Sequence, residues 1–121
     1  MVTLLVTLAA GLGAVARYVV DQVIEHRTRG RFPFGTVVVN LSGSLLLGLI
    51  TGLSLHHGLA DRTTVILGVG FAGGYTTFST WAWESLVLGG VGAWRDAALN
   101  AIGSFVAGLA IAALGLALAL L

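Results

Sequence analysis

Three sets of uncharged polar residues stand in this sequence where an apolar chain has little use for them. Thr76, Thr77, Ser79 and Thr80 follow a glycine-rich run (Gly68, Gly70, Gly73, Gly74) deep in a segment that is otherwise apolar from about Thr64 to Leu88. Thr36, Asn40 and Ser44 recur every four residues, so they share one face of a helix. Asn100, Ser104 and Gly108 repeat that spacing further on. Neither stripe holds a lysine, aspartate or glutamate, which argues against a proton relay along them. Hydroxyls and amides can replace the water around a small ion and still release it. Asn40 brings two amide donors and a carbonyl acceptor. Left unpaired in hydrocarbon, such a group costs several kcal/mol. It must face a neighbouring helix, water or a ligand, and plain helix-to-helix bonding is the simplest of these.

The remaining polar positions are fewer. Arg17 and Asp21 are spaced to share a helix face. The arginine either pairs with Asp21 and reaches for the interface, or stands as a fixed positive charge that draws anions into a vestibule. Glu84 marks the end of its span or lines a pore mouth. Phe78 and Trp81 neighbour each other on one helix, and aromatic ring edges carry partial positive charge; filling a core is the plainer role for both. The histidines, His26, His56 and His57, are expected in solvated connectors.

The elements that must hold these groups follow from composition. Of 121 residues, 57% are hydrophobic and 9% charged, against about 25% charged in soluble domains, so the chain is a membrane protein. A net charge of +1 leaves no nucleic-acid footprint. There is no cysteine, hence no disulfide and no thiolate metal site. The start lacks the basic residues of a cleaved leader, so the first segment is expected to stay. At about 20 apolar residues per crossing, four spans fit, near residues 2–24, 34–55, 63–89 and 95–121, in one all-α domain covering 1–121. The third span should be broken. Each glycine costs roughly 1 kcal/mol in a helix interior, and the run predicts freed carbonyls and amides near Gly73 to Thr76. Irregular backbone survives in a bilayer only where protein or a watery cavity covers it, and such breaks hold ions in transporters. Small residues in every span allow close helix contacts, some of them expected between subunits. Arg27, Arg29, Arg31 and Arg95 lie on one side against Arg62 on the other. That bias puts the first and third connectors in the cytoplasm.

Three stretches together resemble the Fluc/CrcB family of fluoride channels: Gly11-Leu12-Gly13-Ala14-Val15-Ala16-Arg17-Tyr18, the run from Gly35 through Thr36 and Asn40 to Ser44, and Gly73-Gly74-Tyr75-Thr76-Thr77-Phe78-Ser79-Thr80. The resemblance spans the chain in length, span count and motif order. It implies an antiparallel, dual-topology dimer of four-helix subunits with fluoride pores between them. It also implies a central structural sodium ion held by the carbonyls of Gly73 and Thr76 from each subunit. Asn40 would be the pore amide. Phe78 and position 81 would be the pore aromatics, Thr36, Ser79, Thr80 and Ser104 a polar track, and Glu84 would stand toward one end. The sequence departs from that pattern twice. Trp81 stands where a second phenylalanine is usual, and Asn100 where a tyrosine is expected. Both homodimers and heterodimers of related subunits are compatible with these features.

Two other classes compete. A small proton-coupled multidrug exporter wants a carboxylate in the middle of its first span, and residues 2–16 hold none. A non-transporting scaffold or assembly subunit would have no need of Asn40, and a non-conducting partner in a heterodimeric channel is a further alternative. The glycines are not followed by Lys-Ser/Thr, so no phosphate-binding loop is present. No nucleophile–base pair can be assembled, so an enzyme is not expected.

Overall fold

The computed structural model describes residues 1–121 and is helical almost from end to end. Helix α1 runs Val2–Thr28 and α2 runs Phe34–His57. The third span is divided into α3 (61–75) and α4 (Phe78–Gly90), and α5 covers Trp94–Leu118. Helices α1, α2 and α5 are each long and apolar enough to cross a membrane. At 1.5 Å per residue α3 reaches roughly 22 Å, short of the ~30 Å hydrocarbon core. The third crossing therefore needs α3 and α4 together, which makes four crossings.

The first three spans outrun their expected ends, whereas the fourth stops at Leu118, short of 121. Helix α1 stops at Arg29, in the left-handed conformation (φ 43°), whose N–H donates to the Glu25 carbonyl at 3.1 Å. Helix α2 starts after Pro33, which lacks an N–H where the first turn would not use it. It ends at Gly58 with φ 66°, the backbone region that glycine tolerates best. Connectors shrink to 29–33, 58–60 and 91–93. The three histidines therefore sit on helix ends rather than in loops. The His57 ring Nε2 lies 2.8 Å from the Ala119 carbonyl and ties α2 to the end of α5.

Two helix pairs carry the packing, α2 with α5 and α1 with α3. Both are built on bare backbone. A side chain at Gly48 would run into the Ala112 carbonyl, and one at Gly74 into the Ala10 carbonyl. In lipid no hydrophobic force drives helices together, and close backbone approach is the substitute. This corrects the sequence-based account of the glycine run. Gly68, Gly70, Gly73 and Gly74 do not unwind the helix. They lie in helical turns, wide ones over Val65–Ala72, where the Gly73 N–H reaches back five residues to the Gly68 carbonyl. Contact with α1 outweighs their low helix propensity. The chain leaves the helix just after them, at Thr76 and Thr77.

Few side chains are buried; the largest that are fully so are one apolar, Val39, and one polar, Asn100. The remaining apolar surface faces outward on all sides, as a bilayer requires.

Candidate functional site: an unwound turn between two cavities

Thr76 (φ −79°, ψ 161°) and Thr77 (φ −144°, ψ 125°) are extended. Extended backbone releases groups that a helix would pair, and side chains from three elements take most of them up. Asn40 on α2 meets Thr77 twice. Its Nδ2 donates to the Thr77 carbonyl at 2.9 Å, and its Oδ1 accepts from the Thr77 N–H at 2.8 Å. Arg17 on α1 donates from Nη1 to the Thr76 carbonyl at 3.0 Å. The Thr77 hydroxyl accepts from the Thr80 N–H at 3.3 Å and so caps α4. On the other side of the break, both the N–H and the hydroxyl of Thr76 donate to the Ala72 carbonyl, each at 3.0 Å.

Asn40 keeps one amide hydrogen in reserve after these bonds. It lines a cavity of about 320 Å³ with Ser44, Thr76, Phe78, Trp81 and Ser104. A smaller cavity of about 150 Å³ lies near the same turn, lined by Arg17, Asp21, Thr36, Thr77 and Thr80. Thr77 lines both. The two expected stripes are thus divided. Asn40, Ser44, Ser104 and Gly108 share the larger cavity, whereas Thr36 lines the smaller one and donates to Glu84 Oε1 at 2.7 Å. The second carboxylate oxygen of Glu84 is buried without a partner. Asn100 reaches neither cavity and is fully buried between α4 and α5.

Other expected site residues are placed as follows. Phe78 is 76% exposed, and its ring centroid lies 5.1 Å from that of Trp81. Ser79 and Thr80 also face outward. The Trp81 N–H points inward, donating to the Asn100 carbonyl at 2.8 Å and to Ser104 Oγ at 3.0 Å. Ser104 passes its own hydroxyl hydrogen to the Asn100 carbonyl. Neither residue therefore has a hydrogen free for an ion in this arrangement.

The carbonyls of Gly73 and Thr76 can be tested as ligands for a cation. In a continuing helix they would accept from Thr77 and Thr80. Those N–H groups go to Asn40 Oδ1 and to the Thr77 hydroxyl instead. Both oxygens are thus released from the helical ladder, and the Thr76 oxygen already faces a guanidinium. Two neutral carbonyls suit a monovalent cation in kind. In number they suit only a site that a second subunit completes.

Sequence reasoning overlooked Thr77 as the hub of the turn and Ser85, which joins the buried contact at Asn100. A capping signal was present in Thr77 and Thr80, three apart at a helix start. Nothing local marked Ser85.

Fold and site define a class: a multi-pass membrane protein whose third span is interrupted and held open by side chains of neighbouring helices. The chain belongs to the CrcB family. The family described as CrcB-like protein, Camphor Resistance (CrcB), matches residues 4–116. The chain is 48% identical over 116 residues to Fluoride-specific ion channel FluC 1 of Leifsonia xyli subsp. xyli, covering 96% of this chain and 85% of the relative. It is 47% identical over 119 residues to Fluoride-specific ion channel FluC 2 of Cutibacterium acnes, covering 98% and 97%. A third relative, Fluoride-specific ion channel FluC 1 of Symbiobacterium thermophilum, is 49% identical over 116 residues. The protein is a multi-pass protein of the cell membrane.

Proposed function

We propose that this chain is a subunit of a fluoride-selective channel that lets the ion leave the cell passively. The observation that carries the reading is the unwound turn at Thr76–Thr77, held open by Asn40 and Arg17 beside a largely apolar cavity that Asn40, Ser44 and Thr76 enter and a smaller one lined by Thr36 and Thr80 with Arg17 and Asp21. The names of the relatives supply the ion. Fluoride is small and strongly hydrated, so a pore must offer donors matched to the water it strips. Asn40 has one amide hydrogen left, and Ser44, Ser79 and Thr80 bring hydroxyls. The ring edges of Phe78 and Trp81 add weak positive potential. Arg17 raises the local anion concentration, and its charge is tempered by the carbonyl it holds. A negative cell interior drives the anion out with no coupled step.

A second copy in antiparallel orientation, with dual topology, is part of the proposal. Phe78, Ser79 and Thr80 stand exposed on one subunit, and a neighbour would turn that open flank into an enclosed path. The paired carbonyls of Gly73 and Thr76 would then hold a sodium ion at the dimer centre. Its chemistry is structural: a fixed charge that draws together the broken ends of two spans. The chain's own part is to keep those carbonyls out of the helix through Asn40 and the Thr77 cap.

One observation favours a second reading. The Trp81 N–H and the Ser104 O–H are turned inward, which leaves this subunit fewer donors than the pattern calls for. In that reading it is the non-conducting partner in a heterodimer. Purified protein in liposomes, with fluoride and chloride efflux measured separately, tests both. Fluoride efflux well above chloride from this chain alone supports the homodimeric channel. Efflux only after co-reconstitution with a copurifying related subunit supports the heterodimer. Chloride passing as readily as fluoride refutes the assignment.

A further inference from the structure

Trp81 and Asn100 are the two positions at which the sequence leaves the pattern it otherwise resembles, and they prove to be in contact. Each side chain bonds the other's main chain. The Trp81 Nε1 donates to the Asn100 carbonyl at 2.8 Å. The Asn100 Nδ2 donates to the Trp81 carbonyl at 3.3 Å and to Ser85 Oγ at 3.0 Å. Ser85 closes the group by donating to the Trp81 carbonyl at 2.8 Å. Ser104 Oγ accepts from the indole at 3.0 Å.

The Asn100 carbonyl is available because of local winding. Residues Leu99–Gly103 form wide turns, and the Ser104 N–H reaches back five residues to Leu99 rather than four to Asn100. The oxygen so released receives the indole N–H and the Ser104 hydroxyl. The amide orientation is fixed as well. Turned over, the Asn100 oxygen would face the Trp81 carbonyl and a Ser85 hydroxyl that already donates elsewhere. The present orientation leaves the Asn100 Oδ1 buried with no donor, so the side chain acts here purely as a donor.

The consequence reaches the larger cavity. The Trp81 ring is part of its wall, and Phe78 leans on that ring at a centroid distance of 5.1 Å. Asn100 touches neither the cavity nor Phe78, yet it sets where both rings stand. We propose that Asn100 is the positioning residue for Trp81, and that the two act as one clasp that fixes the aromatic wall of the ion path. A chain with tryptophan at 81 then needs asparagine at 100, and the indole serves as a bolted wall rather than as an ion donor. This rests on the channel reading for what the wall faces, but the clasp itself does not.

The experiment has a spectroscopic and a flux arm. In the full chain carrying Trp83→Phe and Trp94→Phe, Trp81 is the only indole left. Asn100→Ala should lower its steady-state anisotropy and shift its emission maximum. Asn100→Asp, which replaces the donor with oxygens, should do so at least as strongly. Ser85→Ala, a milder change, should move both in the same direction and keeps the test open should Asn100 variants misfold. In the flux arm, Trp81→Phe and Asn100→Ala should each lower the fluoride rate in liposomes about tenfold. The double variant should lose no more than the worse single one, because both break the same clasp. Unchanged anisotropy and emission in every folded variant would overturn the proposal, and so would flux losses that multiply. Should the unsubstituted chain carry no fluoride, the channel reading fails, and the spectroscopic arm still decides whether the clasp exists.

Discussion

Asn40 shows how one side chain can stand for a missing turn of helix. Its amide presents a donor and an acceptor side by side, the same pair that a neighbouring peptide would offer. Thr77 bonds to both. Asn40→Ala leaves a main-chain N–H and C=O facing each other's empty places. Removing the partner of a buried polar group costs about 1–3 kcal/mol, and in membranes the realised value falls toward the lower end of that range. The expected result is a loss of about 1–2 kcal/mol, measured by reversible unfolding of the purified protein in mixed detergent. Fluoride flux should fall with it, because the remaining amide hydrogen is lost too. Wild-type stability in Asn40→Ala would mean that other groups hold the turn. The same residue-scale logic places Arg17 on the Thr76 carbonyl and not in the expected bonded pair with Asp21. The Thr76 carbonyl, freed by the extended backbone, competes for the guanidinium.

At the scale of the element, the third span is a lesson in which force decides a break. Glycine density predicted unwinding at Gly73 to Thr76, and the glycines are wound. What they supply is proximity: Gly74 lets α3 lie on the Ala10 carbonyl of α1. The break comes where Arg17 of α1 and Asn40 of α2 offer the backbone partners in place of the helical ladder. Gly74→Ala should therefore act through packing and not through propensity. A methyl group forced into a tight contact costs typically about 1–3 kcal/mol, whereas relief of glycine's helix penalty returns about 1 kcal/mol. The net expectation is destabilisation, seen as a lower thermal midpoint in detergent. Gly11→Ala, where nothing lies within 4 Å, makes the control and should be neutral or slightly stabilising within one subunit. A stabilised Gly74→Ala would return the glycines to their propensity role.

At the scale of the whole molecule, the proposed channel calls for a second copy of the chain. The carbonyls of Gly73 and Thr76 are too few for a cation, and Phe78, Ser79 and Thr80 stand exposed. If two copies share a sodium ion, assembly is linked to that ion by mass action. Exchange of sodium for a large organic cation such as N-methylglucamine should then shift the purified protein from dimer toward monomer, followed by light scattering or cross-linking at fixed detergent. A dimer indifferent to sodium would remove the ion from the design and leave the subunit contact standing.

Much was legible before any coordinates. Four apolar stretches with short connectors specify four crossings, because each span must satisfy its own backbone in lipid. The polar residues at Asn40, Ser104, Thr76 and Thr80 were conspicuous for the same reason: hydrocarbon makes any polar group expensive. Sequence could also tell that the third span breaks. It could not tell at which bond, because that is settled by a side chain 37 residues away. Nor could it show that Thr36 and Asn40, one turn apart, open on different cavities, or that Trp81 and Asn100 hold one another. Composition and spacing determine what a segment must bury. Which donor meets which acceptor depends on how helices cross, and only the packed structure decides that.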